Sequence, residues 1–195
     1  KIVRPPKMDE NLRYGPDYQT GEMETFFSFS QEGGFQQAVE MCSGVGQCRK
    51  KLVGTMCPSY MATLEEEHST RGRANALRAA LAGRLSGKGL ADSQLFEVMD
   101  LCLECKACKS ECPSNVDMAK LKYEFLAHYH EKNGYPLSSY LFGKVDKISR
   151  WATKAASLAN WLAGSALNRW LLERFVGIDR RRRLPAFAGQ TFSTW

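Results

Sequence analysis

Leu101-Cys102-Leu103-Glu104-Cys105-Lys106-Ala107-Cys108-Lys109-Ser110-Glu111-Cys112-Pro113 carries four cysteines at intervals of three, three and four, closed by a proline. Thiolates are soft ligands, and three of them in one tight turn can wrap three corners of an iron-sulfur cubane. The fourth corner must come from elsewhere in the chain. The spacing therefore asks for a second cysteine segment.

That segment lies upstream. Cys42 and Cys48 recur 60 positions later as Cys102 and Cys108, Phe35, Val39 and Met41 fall opposite Leu95, Met99 and Leu101, and each copy closes on Cys-Pro-Ser at 57–59 and 112–114. We read an internal repeat of helix, cysteine loop and following helix, hence two cluster sites. In paired runs of this kind the cysteine before proline ligates the other cluster. Cys57 then completes a four-thiolate [4Fe-4S] site with Cys102, Cys105 and Cys108. Structural zinc is the rival, although zinc sites usually join two well-separated cysteine pairs.

The other site, Cys42, Cys48 and Cys112, is one thiolate short because Val45 stands where Cys105 stands in the second copy. Three readings stay open: a [3Fe-4S] cluster, a [4Fe-4S] cluster with a non-cysteine ligand, or a vestigial site without metal. Of the three histidines, His128 and His130 fit a packed or solvent-facing helix end, whereas His68 lies in the polar stretch Glu65 to Asn75 between the cysteine runs. Arg71 and Arg73 in that stretch would set two guanidinium groups near negatively charged clusters, favouring the reduced state. The competing account is a helix N-terminus with surface arginines.

Seven cysteines, clustered rather than scattered over 195 residues, read as metal ligands in a reducing compartment and not as a disulfide framework. No apolar run approaches 18 residues and no charged-then-apolar leader opens the chain, so the expected location is the cytoplasm, or peripheral attachment at the inner face of a membrane. The net charge of +6 and pI near 9.0 raise the question of nucleic acid. The one dense run, Arg180 to Arg183, leads into Leu184-Pro185 and reads as a solvated or interdomain segment, so no nucleic-acid partner is expected. Because the chain opens on Lys1 and closes on Trp195, we expect a piece of a larger polypeptide.

Apolar spacing predicts helices over 35–41, 71–81 (with Thr63 to Glu66 as a capping box before it), 95–101 with Asp92 as N-cap, 116–132, one long amphipathic helix from Leu137 through Leu162, and 167–175. No segment alternates like a strand. The fold class is all-α: an extended arm over 1–32 lying across a neighbouring domain, a helical cysteine domain over 33–133, a helical extension over 134–177, and a linker over 178–195. Trp151, Trp161, Trp170 and Phe175 mix with Lys144, Lys147, Arg150, Lys154, Arg169 and Arg174, a face for a membrane surface or for packing on other domains.

With both cysteine runs in view, residues 33–133 resemble the alpha-helical ferredoxin domain of the succinate dehydrogenase and fumarate reductase iron-sulfur subunits. The chain is similar, more closely, to the iron-sulfur region of large FAD-linked oxidases acting on D-2-hydroxy acids, the D-2-hydroxyglutarate and D-lactate dehydrogenases and the glycolate oxidase iron-sulfur subunit. The segments carrying this are Cys42-Ser-Gly-Val-Gly-Gln-Cys48-Arg-Lys, Met56-Cys-Pro-Ser-Tyr-Met-Ala-Thr63, Ser69-Thr-Arg-Gly-Arg-Ala-Asn75 and the run at 102–113. Lys1-Ile-Val-Arg-Pro-Pro looks like the exit from the FAD domain, and Leu184 to Phe192 like the approach to a cysteine-rich domain. The departures from the glycolate oxidase pattern are Val45 and the longer Cys48 to Cys57 loop, which favour the fused, single-chain type. The resemblance implies electron relay from FAD in a preceding domain, through the cluster, to a quinone or redox-protein acceptor, with no catalysis in this fragment alone. An alternative is a flavin-independent adaptor subunit of a quinone- or heterodisulfide-reductase-type complex.

Overall fold

The computed structural model describes residues 4–12, 14–85 and 88–195, so the opening Lys1-Ile-Val lies outside the described residues. The chain divides into two compact units, one ending at Asn133 and one running from Gly134 to Trp195. The first holds α1 (Phe35–Glu40), α2 (Pro58–Thr63), α3 (Thr70–Leu81), α4 (Ser93–Asp100), α5 (Ala107–Glu111) and α6 (Met118–Asn133). The second holds α7 (Leu137–Gly143), α8 (Val145–Thr153), α9 (Ala156–Gly164) and α10 (Ala166–Val176). No strand occurs among the described residues, and no helix is long and apolar enough to cross a membrane.

The repeat is visible in the packing. Phe35 and Val39 of α1 and Leu95 and Met99 of α4, equivalent pairs one helical turn apart, are all essentially inaccessible to solvent. Between the two copies runs α3, which touches α1, α4 and α6 and buries Ala74, Leu77 and Ala80 along one stripe. Caps fix where these helices start: Ser69 Oγ accepts the Gly72 N–H at 2.9 Å for α3, and Asp92 Oδ1 accepts Gln94 N at 2.8 Å and Leu95 N at 3.2 Å for α4. The expected capping box at Thr63 does not form. Thr63 ends α2, its hydroxyl turned back onto Ser59 O at 3.0 Å, and the cap falls to Ser69 because Leu64 takes a left-handed conformation (φ 60°) that breaks the helix.

The arm over 4–32 makes contacts within its own unit as well. It packs on its own helices: Phe29 joins the core edge-to-face with Phe35, Tyr14 donates to Asn75 Oδ1 at 2.7 Å, and Tyr18 donates to Glu40 at 2.8 Å. Its firmest anchor is Glu124 on α6. This carboxylate is fully buried, accepts the N–H groups of Phe26 and Phe27 at 2.9 Å each, and pairs with His128 Nε2 at 2.9 Å.

The single long helix expected through Leu162 is three helices, because the backbone leaves the helical region at Lys144 and at Ala155. None of the residues in α7 to α10 is buried. The last segment is tied to α9 by a two-way bond, Asn160 Nδ2 to Phe187 O at 2.9 Å and Phe187 N to Asn160 Oδ1 at 2.8 Å.

Replacing Glu124 by Gln leaves one part-buried arm N–H without its acceptor, a cost of about 1 kcal/mol. We expect a lower urea midpoint for unfolding and faster protease cleavage between residues 20 and 30.

Candidate metal centre

The loop after α4 is shaped by two left-handed residues. Glu104 (φ 55°) and Lys106 (φ 59°) flank Cys105, a conformation that costs a non-glycine residue about 1–2 kcal/mol. The chain curls here, and a curl of this kind can present successive N–H groups to an anion or an iron-sulfur group. The backbone of Glu104 lies close to Cys102, and that of Met118 and Ala119, at the start of α6, close to Cys108. Burial is the main influence on both thiols, raising Cys102 and pushing Cys108 up to about 11. Such buried thiols give up their protons to a metal that binds the thiolate form.

Cys57 comes to the same place. It precedes Pro58, the first residue of α2, and lines one cavity with Cys102, Cys105 and Cys108. Ser59 Oγ holds the two loops together by donating to Leu101 O at 2.7 Å. A tetrahedral zinc ion with bonds of about 2.3 Å requires sulfurs about 3.8 Å apart. Among the described residues, which include all seven cysteines, no three sulfurs lie within 4.8 Å of one another. As they stand, the sulfurs are spread more widely than one zinc ion requires.

Charge bears on the fit as well. Arg73 on α3 is fully buried and lines this cavity, yet its partners are neutral: Val98 O at 3.0 Å, His68 O at 2.7 Å and Cys57 Sγ at 3.6 Å. Its Nη2 has no partner, and no carboxylate lies within ion-pair distance among the described residues. A buried cation of this kind needs a compensating negative charge. Lys122 of α6, also buried, binds Asp100 O at 3.0 Å, Cys102 O at 2.8 Å and Glu104 at 3.0 Å.

The first loop repeats this design with glycines. Gly44 (φ 82°) and Gly46 (φ 79°) flank Val45 as Glu104 and Lys106 flank Cys105, so the curl persists although Val45 is exposed and cannot ligate. Cys48 is buried, lies near enough to Cys42 to feel its charge, and accepts the Arg71 N–H at 3.4 Å. The Arg71 guanidinium reaches Gly44 O at 3.3 Å and Glu66 at 2.7 Å. Arg78 binds the carbonyls of Glu40 and Cys42 at 2.6 and 3.0 Å, as Lys122 binds those of Asp100 and Cys102. Ser114, two residues after Cys112, meets Ser43 Oγ, next to Cys42, at 2.8 Å.

Residues 41–117 match the family described as the 4Fe-4S dicluster domain. This segment is similar to that domain, and both cysteine runs fall within it. The chain holding it is similar to the D-2-hydroxyglutarate dehydrogenase of Pseudomonas putida, 29% identical over 178 residues, which is 74% of this chain and 17% of that protein. The D-2-hydroxyglutarate dehydrogenase of Escherichia coli is 25% identical over 213 residues, 91% of this chain and 21% of its own length. A probable glycolate oxidase iron-sulfur subunit of Bacillus subtilis is 30% identical over 90 residues, 46% of this chain and 19% of its own. The chain thus spans about a fifth of the length of the curated relatives it matches. No solved structure matches it significantly.

Several residues packed around the cysteines escape a reading of spacing alone. His68, singled out by its place between the cysteine runs, has its ring occupied by Thr63 Oγ1 at 2.9 Å and by Glu65 at 3.3 Å, while its carbonyl oxygen meets Arg73 and the Cys57 thiol. His128 pairs with Glu124, and His130 packs on Phe96 and Tyr129. Glu111, just before Cys112, accepts hydrogen bonds from Thr55 N at 2.8 Å, from the Thr55 hydroxyl and from Met56 N at 3.4 Å, lacing the Cys112 turn to the Cys57 turn. These bonds hold its carboxyl below the usual carboxylate range.

Gly72 is the last of these. A Cβ there would collide with the Glu66 carbonyl oxygen and come within 2.8 Å of Glu66 C and 2.9 Å of Glu67 Cα. The turn at 66–68, which delivers His68 O to Arg73, sits directly on α3 for this reason. Gly72→Ala is expected to cost on the order of 1–3 kcal/mol or more and to reduce iron retention, as read by thermal unfolding and iron content of the same preparation.

Proposed function

We propose that the cysteine-bearing segment is the electron-transfer part of a flavin-dependent D-2-hydroxy-acid dehydrogenase, with Cys57, Cys102, Cys105 and Cys108 holding a [4Fe-4S] cluster. The observation that carries this reading is the meeting of those four cysteines around one cavity lined by a buried, uncompensated Arg73. An iron-sulfur cluster supplies one-electron uptake and release when bound. The chain's own residues do the rest. Four thiolates fix the position, the backbone of Glu104, Met118 and Ala119 lies close to the sulfurs, and Met56 and Met118 keep water from the inner side. Cys105 is exposed beside the exposed Leu103, which makes this rim the edge a redox partner approaches.

Similarity to D-2-hydroxyglutarate dehydrogenases supports D-2-hydroxyglutarate or a related 2-hydroxy acid as substrate of the whole polypeptide. In this reading FAD in a preceding domain takes the hydride, the cluster passes electrons on singly, a quinone or redox protein receives them, and a cysteine-rich domain follows in the same chain. On this account the fragment relays electrons, and the chemistry on substrate belongs to the preceding domain. We further propose a second, [3Fe-4S] site at Cys42, Cys48 and Cys112. The left-handed pair retained around Val45 favours it over a vestigial loop.

Anaerobic iron and sulfide analysis of the full polypeptide, with EPR before and after dithionite, tests both sites. About seven irons, with a signal in the oxidised form, is the expected result. About four irons and only a reduced-state signal would remove the second site, and zinc without sulfide would overturn both. Cys105→Ser should lower retained iron at the first site while leaving any oxidised-state signal in place. Full-length protein that copurifies without flavin would sink the dehydrogenase assignment and favour an adaptor subunit.

A further inference from the structure

We propose that Arg73 is the counter-ion of the Cys57, Cys102, Cys105 and Cys108 cluster: its Nη2 donates directly to a cluster or thiolate sulfur, and its charge raises the reduction potential of that cluster. The inference rests on the four-cysteine reading and specifies what sets its redox poise.

The geometry assigns Arg73 this task and leaves few others for it. Nε and Nη1 are committed, to Val98 O at 3.0 Å and His68 O at 2.7 Å, and these two bonds lock the guanidinium plane. Nη1 also lies 3.6 Å from Cys57 Sγ. Nη2 is the one buried nitrogen of this side chain left without an acceptor, on a residue that lines the cavity. An unmade bond from a buried charged donor is costly, so an acceptor belongs there.

Arg71, two residues earlier, provides the contrast. Its charge is answered by Glu66 at 2.7 Å, which also binds Arg49 at 3.0 Å. Arg73 has no such carboxylate, and its full charge therefore bears on the thiolates beside it, Cys57 and Cys102. Adding an electron to a buried, negatively charged group is easier next to an unanswered cation in a low-dielectric site. The guanidinium fork matters as well as the charge, because an ammonium at the end of a lysine cannot satisfy Val98 O, His68 O and sulfur together.

Two measurements on the full polypeptide test this. In wild-type protein grown with 15N-arginine and reduced with dithionite, pulsed EPR should detect hyperfine coupling between one arginine nitrogen and the cluster spin. Redox titration should give a lower midpoint potential for Arg73→Gln than for wild type, with Arg73→Lys between them, at equal iron content. No arginine coupling in the wild-type signal would overturn the proposal, and so would an Arg73→Gln cluster that titrates at the wild-type potential. If Arg73→Gln loads no cluster, the wild-type coupling alone decides. Wild-type protein without any cluster signal would instead refute the four-cysteine reading itself.

Discussion

Ser59 Oγ donating to Leu101 O, and Ser114 Oγ meeting Ser43 Oγ, bind each Cys-Pro-Ser turn to the cysteine loop of the other repeat. Neither copy is complete alone. The Cys57 turn finishes the cavity begun at Cys102, and the Cys112 turn leans on the loop that carries Cys42. Glu111 adds a third tie, from the residue before Cys112 to the backbone before Cys57. These contacts join positions about forty to seventy residues apart, so the ligand cage forms only when both halves have closed on α3, and the entropy of that closure must be met by the core.

The electrostatic layout follows from the same closure. Cysteine loops that leave α1 and α4 directly expose the last carbonyls of those helices, and each loop is answered by one buried cation, Arg78 for Glu40 and Cys42, Lys122 for Asp100 and Cys102. Cations at helix C-termini are favourable, and here they also lie close to where thiolate charge accumulates. Arg73 also reaches the end of α4, at Val98 O, but unlike them it lies against a cysteine sulfur, 3.6 Å from Cys57 Sγ. The chain's excess of positive charge is located elsewhere: residues 134–195 contain ten Lys and Arg against three Asp and Glu, leaving the cluster-bearing unit close to neutral. The charges around the cysteines act locally, through burial, and not through a general field.

Spacing in the sequence revealed much of the site because metal ligation imposes it. A cysteine loop must return its sulfurs to one side within seven residues, and a repeat of 60 positions survives in the apolar pairs Phe35 and Val39, Leu95 and Met99. The helices of the first unit were legible for a related reason: their buried stripes recur at three and four residues. Where the reading strayed, the signal was weak. The stripe from Leu137 to Leu162 is continuous in period, but the breaks at Lys144 and Ala155 carry no proline, and no core holds the faces in register. Thr63 to Glu66 satisfies a capping pattern that a left-handed Leu64 forecloses.

What the sequence by itself determined is the chemistry: seven clustered cysteines, three of them in one tight turn, an all-helical chain and a damaged first run at Val45. Tertiary structure alone decided which groups surround that chemistry. Only folding brings Arg73 beneath Cys57, turns the His68 carbonyl rather than its ring toward the thiol, sets Gly72 against the Glu66 carbonyl, and seats the arm on Glu124. The reason is physical: ligand spacing is a constraint within one loop, readable in order, whereas compensation of buried charge and of backbone donors is a constraint in space, met by whichever residues the closed chain delivers.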